Sequence, residues 1–401
     1  MFGVAVLGYG VVGSGVVEVI DKNFDRVAQS AAREIRVKYI VDLRDFPDSI
    51  YKELFVKDFA IIEADPEVRV VVETIGGVGA AYEFTRRSLL AGKSVVTSNK
   101  ELVATRGWEL LQIAKEKDVN YLFEASVGGG IPILRPITQC LAANRINEIY
   151  GILNGTTNYI LTSMIKHGAS FEDALKQAQA NGYAEQNPTS DIEGIDACRK
   201  ICILADLCFG RNMDPDWVKT VGISAVTPVD IHYADGAGYK IKLLGRAVSL
   251  QDGTKATAYV APHLVREDNL LASVDGVMNG IVVRGNAIGD VMFYGAGAGK
   301  LPTASAVVAD IIDAAKHDGA RKYIGWDEGS RDTFFDSALL ESRWYIRAQV
   351  TAAVARSAFG DVQILGGTDG ETAFITSSMG KNTLDSTLES VTALTVFRVL
   401  G

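Results

Sequence analysis

The chain opens on an unbroken apolar run, Phe2 to Leu7, which stops at GYGVVGSG and gives way to apolar positions at helical spacing, Val16, Val17, Val19 and Ile20. That alternation recurs. Arg36 to Val41, Val68 to Glu73 (VRVVVE), the run SVVTSNK ending at Lys100, and Tyr121 to Val127 (YLFEASV) each read as a buried strand, and a helix running through Leu90 separates the second from the third. Continuous apolar strands, as opposed to strands of alternating polarity, belong to a parallel sheet covered on both faces. The expected fold class is therefore α/β, a Rossmann-like doubly wound sheet.

From Ile146 the texture changes. EIYGILNGTTNYILTSM predicts a strand, a polar turn at Asn154 to Thr157 and an amphipathic helix capped by Thr157 or Asn158. Phe171 to Ala180 predicts a second helix, with Ser170 as its cap and Asp173 three residues on. Tyr183 to Glu193 reads as a loop, and Gly194 to Phe209 as a helix ended by Gly210. Beyond it GRAVSL, TKATAYVAPHLV and GIVVRGNAIGDVMFYGAGAG alternate, which predicts an antiparallel sheet of an α+β substrate and dimerisation domain. A helix follows from Thr303 to Ala315. Lys316 to Glu341 is polar, and RWYIRAQV, ETAFITS and TVFRVL are three strand-like runs, with a helix near Leu384 to Val391.

Composition narrows the function. The 401 residues are 48% apolar and 22% charged, with a net charge of −9 and no long basic block, so nucleic acid is not the expected partner. No apolar run reaches the ~20 residues of a membrane span, and the start MFGVAVLGYG lacks a basic leader. The four cysteines, Cys140, Cys198, Cys202 and Cys208, are placed like free thiols of a reducing compartment, the cytoplasm. Cys198 and Cys202 lack the second pair that a zinc site needs.

The first candidate chemistry is Gly8, Gly10 and Gly13, spelling G-x-G-x-x-G between the first strand and the first helix. Gly8 permits the tight turn, Gly10 lets a pyrophosphate approach the backbone, and Gly13 lets helix and strand pack closely. Val11 and Val12 open the helix whose N-terminus faces the anion. After the second strand comes DLRD: Asp42 suits an adenine ribose and Arg44 a 2′-phosphate, leaving both NAD and NADP open with Arg44 tipping the reading toward NADP. TIGG (Thr74, Ile75, Gly76) and TSNK (Thr97, Ser98, Lys100) end later strands and are expected along the cofactor crevice. Three glycines after YLFEASV free the backbone to approach the nicotinamide, the substrate, or a cation held by carbonyls and Glu124.

The second candidate is GYAEQNPTSDIEGIDACRK, a charged stretch just before ICILADLCF. Asp196 and Lys200 are four residues apart and so share one helix face. One reading is a structural ion pair at a helix start. The other is a cup of carboxylates, Glu185, Asp191 and Asp196, around an ammonium group, with Lys200 beside a reacting oxygen and able to exchange a proton.

These blocks together resemble the homoserine dehydrogenases. GYGVVGSG, ETIGG, VVTSNK, FEASVGGGIPI, GILNGTTNYIL, the charged stretch and MFYGAGAGKLPTASAV follow that family's order over roughly residues 1 to 315. The resemblance implies NAD(P)-dependent interconversion of L-homoserine and L-aspartate 4-semialdehyde, in threonine and methionine biosynthesis. It implies that Glu185 and Asp196 hold substrate, that Lys200 is the catalytic lysine, that Lys100 lies between cofactor and substrate, and that Gly299 approaches the cofactor. It further implies a monovalent cation, Na+ or K+, on Glu124 and the carbonyls of Val127, Gly129 and Ile131. The expected domains are 1–145 for the dinucleotide, with 300–318 returning to it; 146–299 for substrate and dimerisation; a linker over 319–342; and 343–401, similar to a small ACT regulatory domain but with TAAVARSAFG where its usual turn would be. A homodimer or homotetramer is expected.

Two other readings compete. Aspartate-semialdehyde dehydrogenase needs an exposed nucleophilic cysteine, whereas all four cysteines here fall in helical patterns. A nucleotide-dependent amino acid sensor would bind the dinucleotide without reacting.

Overall fold

The structure, a computed structural model, describes residues 2–250, 253–322, 324–368 and 370–401. The chain divides into two units, one of Met1–Asn144, Asp206–Asp214 and Gly295–Gly329, the other of Arg145–Ala205, Pro215–Tyr294 and Ser330–Gly401.

The first unit holds six parallel strands, β1 (Phe2–Leu7), β2 (Ile35–Val41), β3 (Phe55–Val56), β4 (Val68–Glu73), β5 (Ser94–Thr97) and β6 (Tyr121–Leu122), in the order β3-β2-β1-β4-β5-β6. This is the doubly wound sheet expected from the apolar runs. Every residue of β1 is buried, and Val4, Val6, Val70, Val72 and Val96 share one core with the helices Val11–Lys22 and Lys300–Lys316. Those two helices meet at Gly15, where a Cβ would come within 3.0 Å of the Lys300 backbone oxygen.

Two strand ends differ from expectation. YLFEASV is strand only over Tyr121–Leu122 and then turns as a 3-10 helix at Glu124–Ser126. The buried Glu124 carboxylate draws in the N–H groups of Ile133, Leu134 and Arg135 at 2.7–2.9 Å, which an extended chain cannot offer. In SVVTSNK the strand stops at Thr97, and Lys100 opens the helix Lys100–Glu116, because Asn99 caps it by accepting the Leu102 N–H at 3.1 Å.

The second unit carries β7 (Ile146–Ile152), β8 (Lys219–Thr220), β9 (Tyr239–Leu250), β10 (Lys255–Arg266), β11 (Met278–Gly285), β12 (Gly289–Ala296), β13 (Arg343–Ala348), β14 (Val362–Thr368), β15 (Glu371–Thr376) and β16 (Ala393–Val399). They form one sheet in the order β12-β11-β7-β9-β10-β16-β13-β15-β14, with β8 added on β10. β9 and β10 pair antiparallel through twelve residues each, and β7 and β11 flank them in the antiparallel sense. The carboxyl-terminal segment has four strands where the pattern showed three. β14 was hidden because VQILGGT carries two glycines, and TAAVARSAFG is the helix Ala352–Phe359, capped by Thr351. With the helix Lys381–Leu388 the order is βαββαβ, and this segment shares the sheet of the second unit through β16.

Among the described residues no helix is long and apolar enough to cross a membrane, and no cluster of three His, Cys, Asp or Glu side chains is arranged for a metal ion.

Candidate active site

In the first unit the glycine loop is built by close approach. Gly8 has φ +90° and donates its N–H to Val41 O at 2.8 Å, which carries the chain across from β1 to β2. A Cβ on Gly13 would lie 1.9 Å from Gly8 O, so only glycine lets the helix start this near the strand. Gly10 is the N-cap of Val11–Lys22, has no side-chain cap, and meets nothing within 4 Å at its Cβ position. Val11 is exposed and Val12 half-buried. With no acid in the first turn, the N–H groups of this helix start present a cradle of the shape and polarity a pyrophosphate needs.

Asp42 reaches back to that loop. Its carboxylate accepts the Tyr9 N–H at 2.7 Å and pairs with Arg44 through both Nε, at 3.0 Å, and Nη2, at 2.9 Å. The guanidinium of Arg44 holds the Asp42 carboxyl well below the usual carboxylate range. Lys57, which sequence reasoning did not single out, donates to the carbonyls of Asp42, Leu43 and Arg44 at 2.8–3.0 Å and so fixes the shape of this turn. Asp42 and Arg44 are thus a pair, not the alternatives they were in the sequence.

The TIGG and TSNK loops are joined by a residue that reading the sequence passed over as part of a strand. Glu73 is fully buried at the end of β4; its carboxylate accepts the Ile75 N–H at 2.7 Å and the Gly76 N–H at 3.3 Å on one oxygen, and the Thr97 hydroxyl at 2.6 Å on the other. Thr97 in turn accepts the Asn99 N–H at 2.9 Å, and the Asn99 amide donates to Gly77 O at 2.6 Å. A carboxylate inside VRVVVE was the available signal, since a buried acid must have partners. Thr74 donates its hydroxyl to Leu7 O and Gly8 O, tying TIGG to the glycine loop. Ser98 and Lys100 are half-buried beside these groups. A cation at the first position of a helix is opposed by the helix dipole by about 0.3–1 kcal/mol, so Lys100 is not there to stabilise its helix.

Val127, Gly129 and Ile131 are buried, and among the described residues no hydrogen bond is donated to their carbonyl oxygens. Gly129 sits against the second glycine loop, where a Cβ would come within 2.5 Å of Gly297 O. Gly299, at φ +127°, is the N-cap of Lys300–Lys316.

In the second unit the charged stretch closes around one asparagine. The helix Gly155–His167 is capped by Asn154, whose oxygen accepts the Thr157 N–H at 2.8 Å, in place of the expected Thr157 or Asn158. The Asn154 amide nitrogen donates to Asp191 Oδ1 at 2.7 Å and to Asp196 Oδ2 at 2.8 Å. Lys200 Nζ donates to that same Asp196 oxygen at 2.8 Å and to Leu153 O at 2.9 Å. Asp196 and Lys200 are 3% and 8% exposed, so the pair is buried, which an exposed helix-start ion pair would not be. Glu185 is exposed on the preceding loop, and among the described residues no hydrogen bond joins its side chain to this cluster; Thr156 ties the loop to the helix by donating to Tyr183 O at 2.7 Å. The structure therefore joins Asn154, Asp191, Asp196 and Lys200, and leaves Glu185 apart. Of the cysteines, Cys198 and Cys202 are buried and Cys208 half-buried, but Cys140 is exposed at the end of the π-helical turn Pro136–Cys140, so burial does not remove all four thiols.

Comparison with known proteins decides between the readings. Residues 8–124 match the family model described as homoserine dehydrogenase, NAD binding domain, and residues 132–312 match that of homoserine dehydrogenase itself. The chain belongs to the homoserine dehydrogenase family. A homoserine dehydrogenase of Pseudomonas aeruginosa is 44% identical over 314 residues, covering 78% of this chain and 72% of that one. The crystal structure of a homoserine dehydrogenase from Thiobacillus denitrificans superposes with a TM-score of 0.89 at 35% identity, covering 100% of this chain and 98% of the other. A hyperthermophilic archaeal homoserine dehydrogenase in complex with NADPH gives a TM-score of 0.65 at 28% identity over 78% of this chain and 97% of that one. Membership makes the chain an NAD(P)-dependent oxidoreductase acting on a CH–OH group, and the sensor reading is not favoured.

Proposed function

We propose that the chain interconverts L-homoserine and L-aspartate 4-semialdehyde, with Lys200 as the proton donor and acceptor at the substrate oxygen. The observation that carries this reading is the hydrogen-bonded group of Asn154, Asp196 and Lys200, all buried, with the half-buried Asp191. The Asp196 carboxylate and the Leu153 carbonyl hold the buried Lys200 Nζ in a fixed position, from which it can pass a proton to or from a substrate oxygen. When bound, the nicotinamide supplies or accepts the hydride. In the reductive direction negative charge develops on the aldehyde oxygen, and Lys200 stabilises it and delivers the proton. In the oxidative direction Lys200 accepts the hydroxyl proton. Asp191 and Asp196, aligned by Asn154, and Glu185 from the exposed loop hold the substrate ammonium group. Lys100 adds a second cation for the substrate and cofactor.

The cofactor reading rests on the cradle at Gly8, Gly10, Val11, Val12 and Gly13, on Thr74, Ile75, Gly76, Thr97 and Ser98, which Glu73 holds together, and on Gly299. A preference for NADP is supported by Arg44, whose guanidinium stands exposed over the Phe46 ring at 5.2 Å. The buried residues Val127, Gly129 and Ile131, whose carbonyls accept no hydrogen bond among the described residues, support a monovalent cation, Na+ or K+, beside Glu124, with a structural role. The strand order β16-β13-β15-β14 supports an ACT-like carboxyl-terminal region, the half-exposed edge strand β12 a homodimer or homotetramer, and the unbridged cysteines a reducing cytoplasm.

The test is absorbance of reduced cofactor when L-homoserine meets NAD+ or NADP+ at alkaline pH, with Lys200→Ala alongside. Turnover by the wild type and its loss in Lys200→Ala, which still binds cofactor, is the expected result. Equal turnover by both proteins would remove Lys200 from the chemistry.

A further inference from the structure

The second unit contains a cavity lined by none of the residues proposed for the reaction. Its volume is about 290 Å³, at the lower end of the range for small-molecule sites. It lies along β10, β16 and the helix Lys381–Leu388, with apolar walls from Val260, Pro262, Trp344, Leu388, Val396 and Phe397. Three cationic residues, Lys219, Lys381 and Arg398, line it against a single acid, Asp385.

Two of the cations are answered within the protein. Lys219 pairs with Asp336 at 3.1 Å, and Lys381 pairs with Asp385 one turn along its own helix. Arg398 differs. It is 7% exposed, and its guanidinium lies 4.4 Å from the ring centroids of both Tyr259 and Trp344. Its only hydrogen bonds among the described residues go to Ser342 Oγ at 2.5 Å and Ser337 O at 2.9 Å, both neutral acceptors. A guanidinium has five donors and cannot shed its charge, so a buried one without a carboxylate is costly unless an anion arrives from outside. Burial pulls its proton affinity down, as for a cation without a counter-charge. Ring stacking and two neutral acceptors hold the group flat and pre-aligned, which is what bidentate carboxylate recognition requires.

We propose that this cavity binds a small organic carboxylate with an apolar body, its carboxylate on Arg398 and its hydrocarbon part against Trp344, Phe397 and Leu388. The chemistry excludes neutral and cationic molecules of the same shape. It also excludes inorganic anions as good ligands, because they leave the apolar walls unfilled.

Calorimetric titration of the full chain with phenylacetate and 4-methylpentanoate tests the proposal, with phenylacetamide, phenethylamine and inorganic phosphate as controls. Saturable binding of a carboxylate, at least about tenfold tighter than the amide, is expected. Arg398→Gln should weaken that binding at least about tenfold. Should that variant fail to fold, Asn382→Trp at the exposed rim keeps Arg398 and fills the cavity, and it should abolish binding while leaving the circular dichroism spectrum and turnover with homoserine unchanged. Absence of heat for both carboxylates up to about 10 mM, equal binding of phenylacetamide, or undiminished binding by Asn382→Trp would each overturn the assignment.

Discussion

Thr97 donates its hydroxyl to the buried carboxylate of Glu73 at 2.6 Å, and this bond fastens the carboxyl end of β5 to that of β4. In an open parallel sheet, ligands gather beyond those strand ends. A buried acid there that satisfies two backbone N–H groups and one hydroxyl sets the spacing of the two loops. Glu73→Ala leaves all three donors without that acceptor: the Thr97 hydroxyl, fully buried, at a cost of about 1–3 kcal/mol, and the N–H groups of the exposed Ile75 and Gly76 at less. The expected outcome is a raised KM for the dinucleotide together with a lower denaturation midpoint. Glu73→Gln, which keeps one oxygen, should show the smaller change in both. Steady-state kinetics with each cofactor and urea unfolding of the two variants check this.

Gly13 admits no side chain. The Cβ of Gly13→Ala would sit 1.9 Å from Gly8 O, so either the helix withdraws from β1 or the glycine turn opens. Overpacking of this kind costs about 1–3 kcal/mol. Dinucleotide affinity should fall at least tenfold, by roughly the 1.4 kcal/mol that factor represents, as read by fluorescence titration of the reduced cofactor. Gly10→Ala, with nothing within 4 Å of its Cβ, should fold normally and lose affinity only through the bulk it adds to the cradle.

Asn154 serves a helix and two carboxylates at once. Asn154→Ala removes a cap worth about 0.5–2 kcal/mol and the donor shared by Asp191 and Asp196. Turnover should drop by about 10–100-fold, more than a lost cap alone explains. Asn154→Ser, able to cap but not to reach both carboxylates, separates the two roles: it should recover stability and leave turnover low.

His263 gives stability a pH dependence of known sign. It is fully buried on β10, its Nδ1 at 2.8 Å from Ala261 O and its Nε2 at 3.4 Å from the Tyr259 hydroxyl, so the carbonyl fixes the proton on Nδ1. Burial pushes its pKa down from 6.5 to about 3. Its neutral form is favoured in the fold, so its contribution is whole above the unfolded value and is lost as pH falls from about 6.5 toward 3. Unfolding free energy should decline on acidification by up to about 1.4 kcal/mol per pH unit from this one group. His263→Phe should flatten that slope between pH 6 and 4 by close to one proton; an unchanged slope would falsify the assignment.

The sheet of the first unit was legible because it is written in β-branched residues. VRVVVE and SVVT are strands within a residue or two of where the pattern ends. Its loops were legible as places but not as structures. Lys100 was placed at a strand end because nothing local distinguishes TSN before a lysine from TSN before a helix; Asn99 as a cap decides it. The pair Asp196 and Lys200 could be read from spacing alone, since four residues on a helix fix a distance. Asn154 could not, because its partners lie far along the chain and only folding brings them together. Glu185 groups with the other acids by proximity in sequence and by the family resemblance, and in the structure its side chain is exposed on the loop. The fourth strand of the carboxyl-terminal segment escaped notice because glycines dilute its β propensity, which its pairing with β15 then overrides.

β16 lies between β10 and β13, yet it follows β10 only after a long stretch of chain, and it joins β10 through two residue pairs, His263 with Arg398 and Leu264 with Val399. During synthesis the far edge of β10 is therefore made early and paired late, and an uncovered edge is a template for strands of other chains. The short β8 already covers Tyr259 and Val260 on β10, shielding one stretch of it from the outset. The hazard thus falls on the stretches to either side of Tyr259 and Val260: Ala256 is met only when Phe334 has been made, and the residues beyond Ala261 only when β16 emerges from the ribosome.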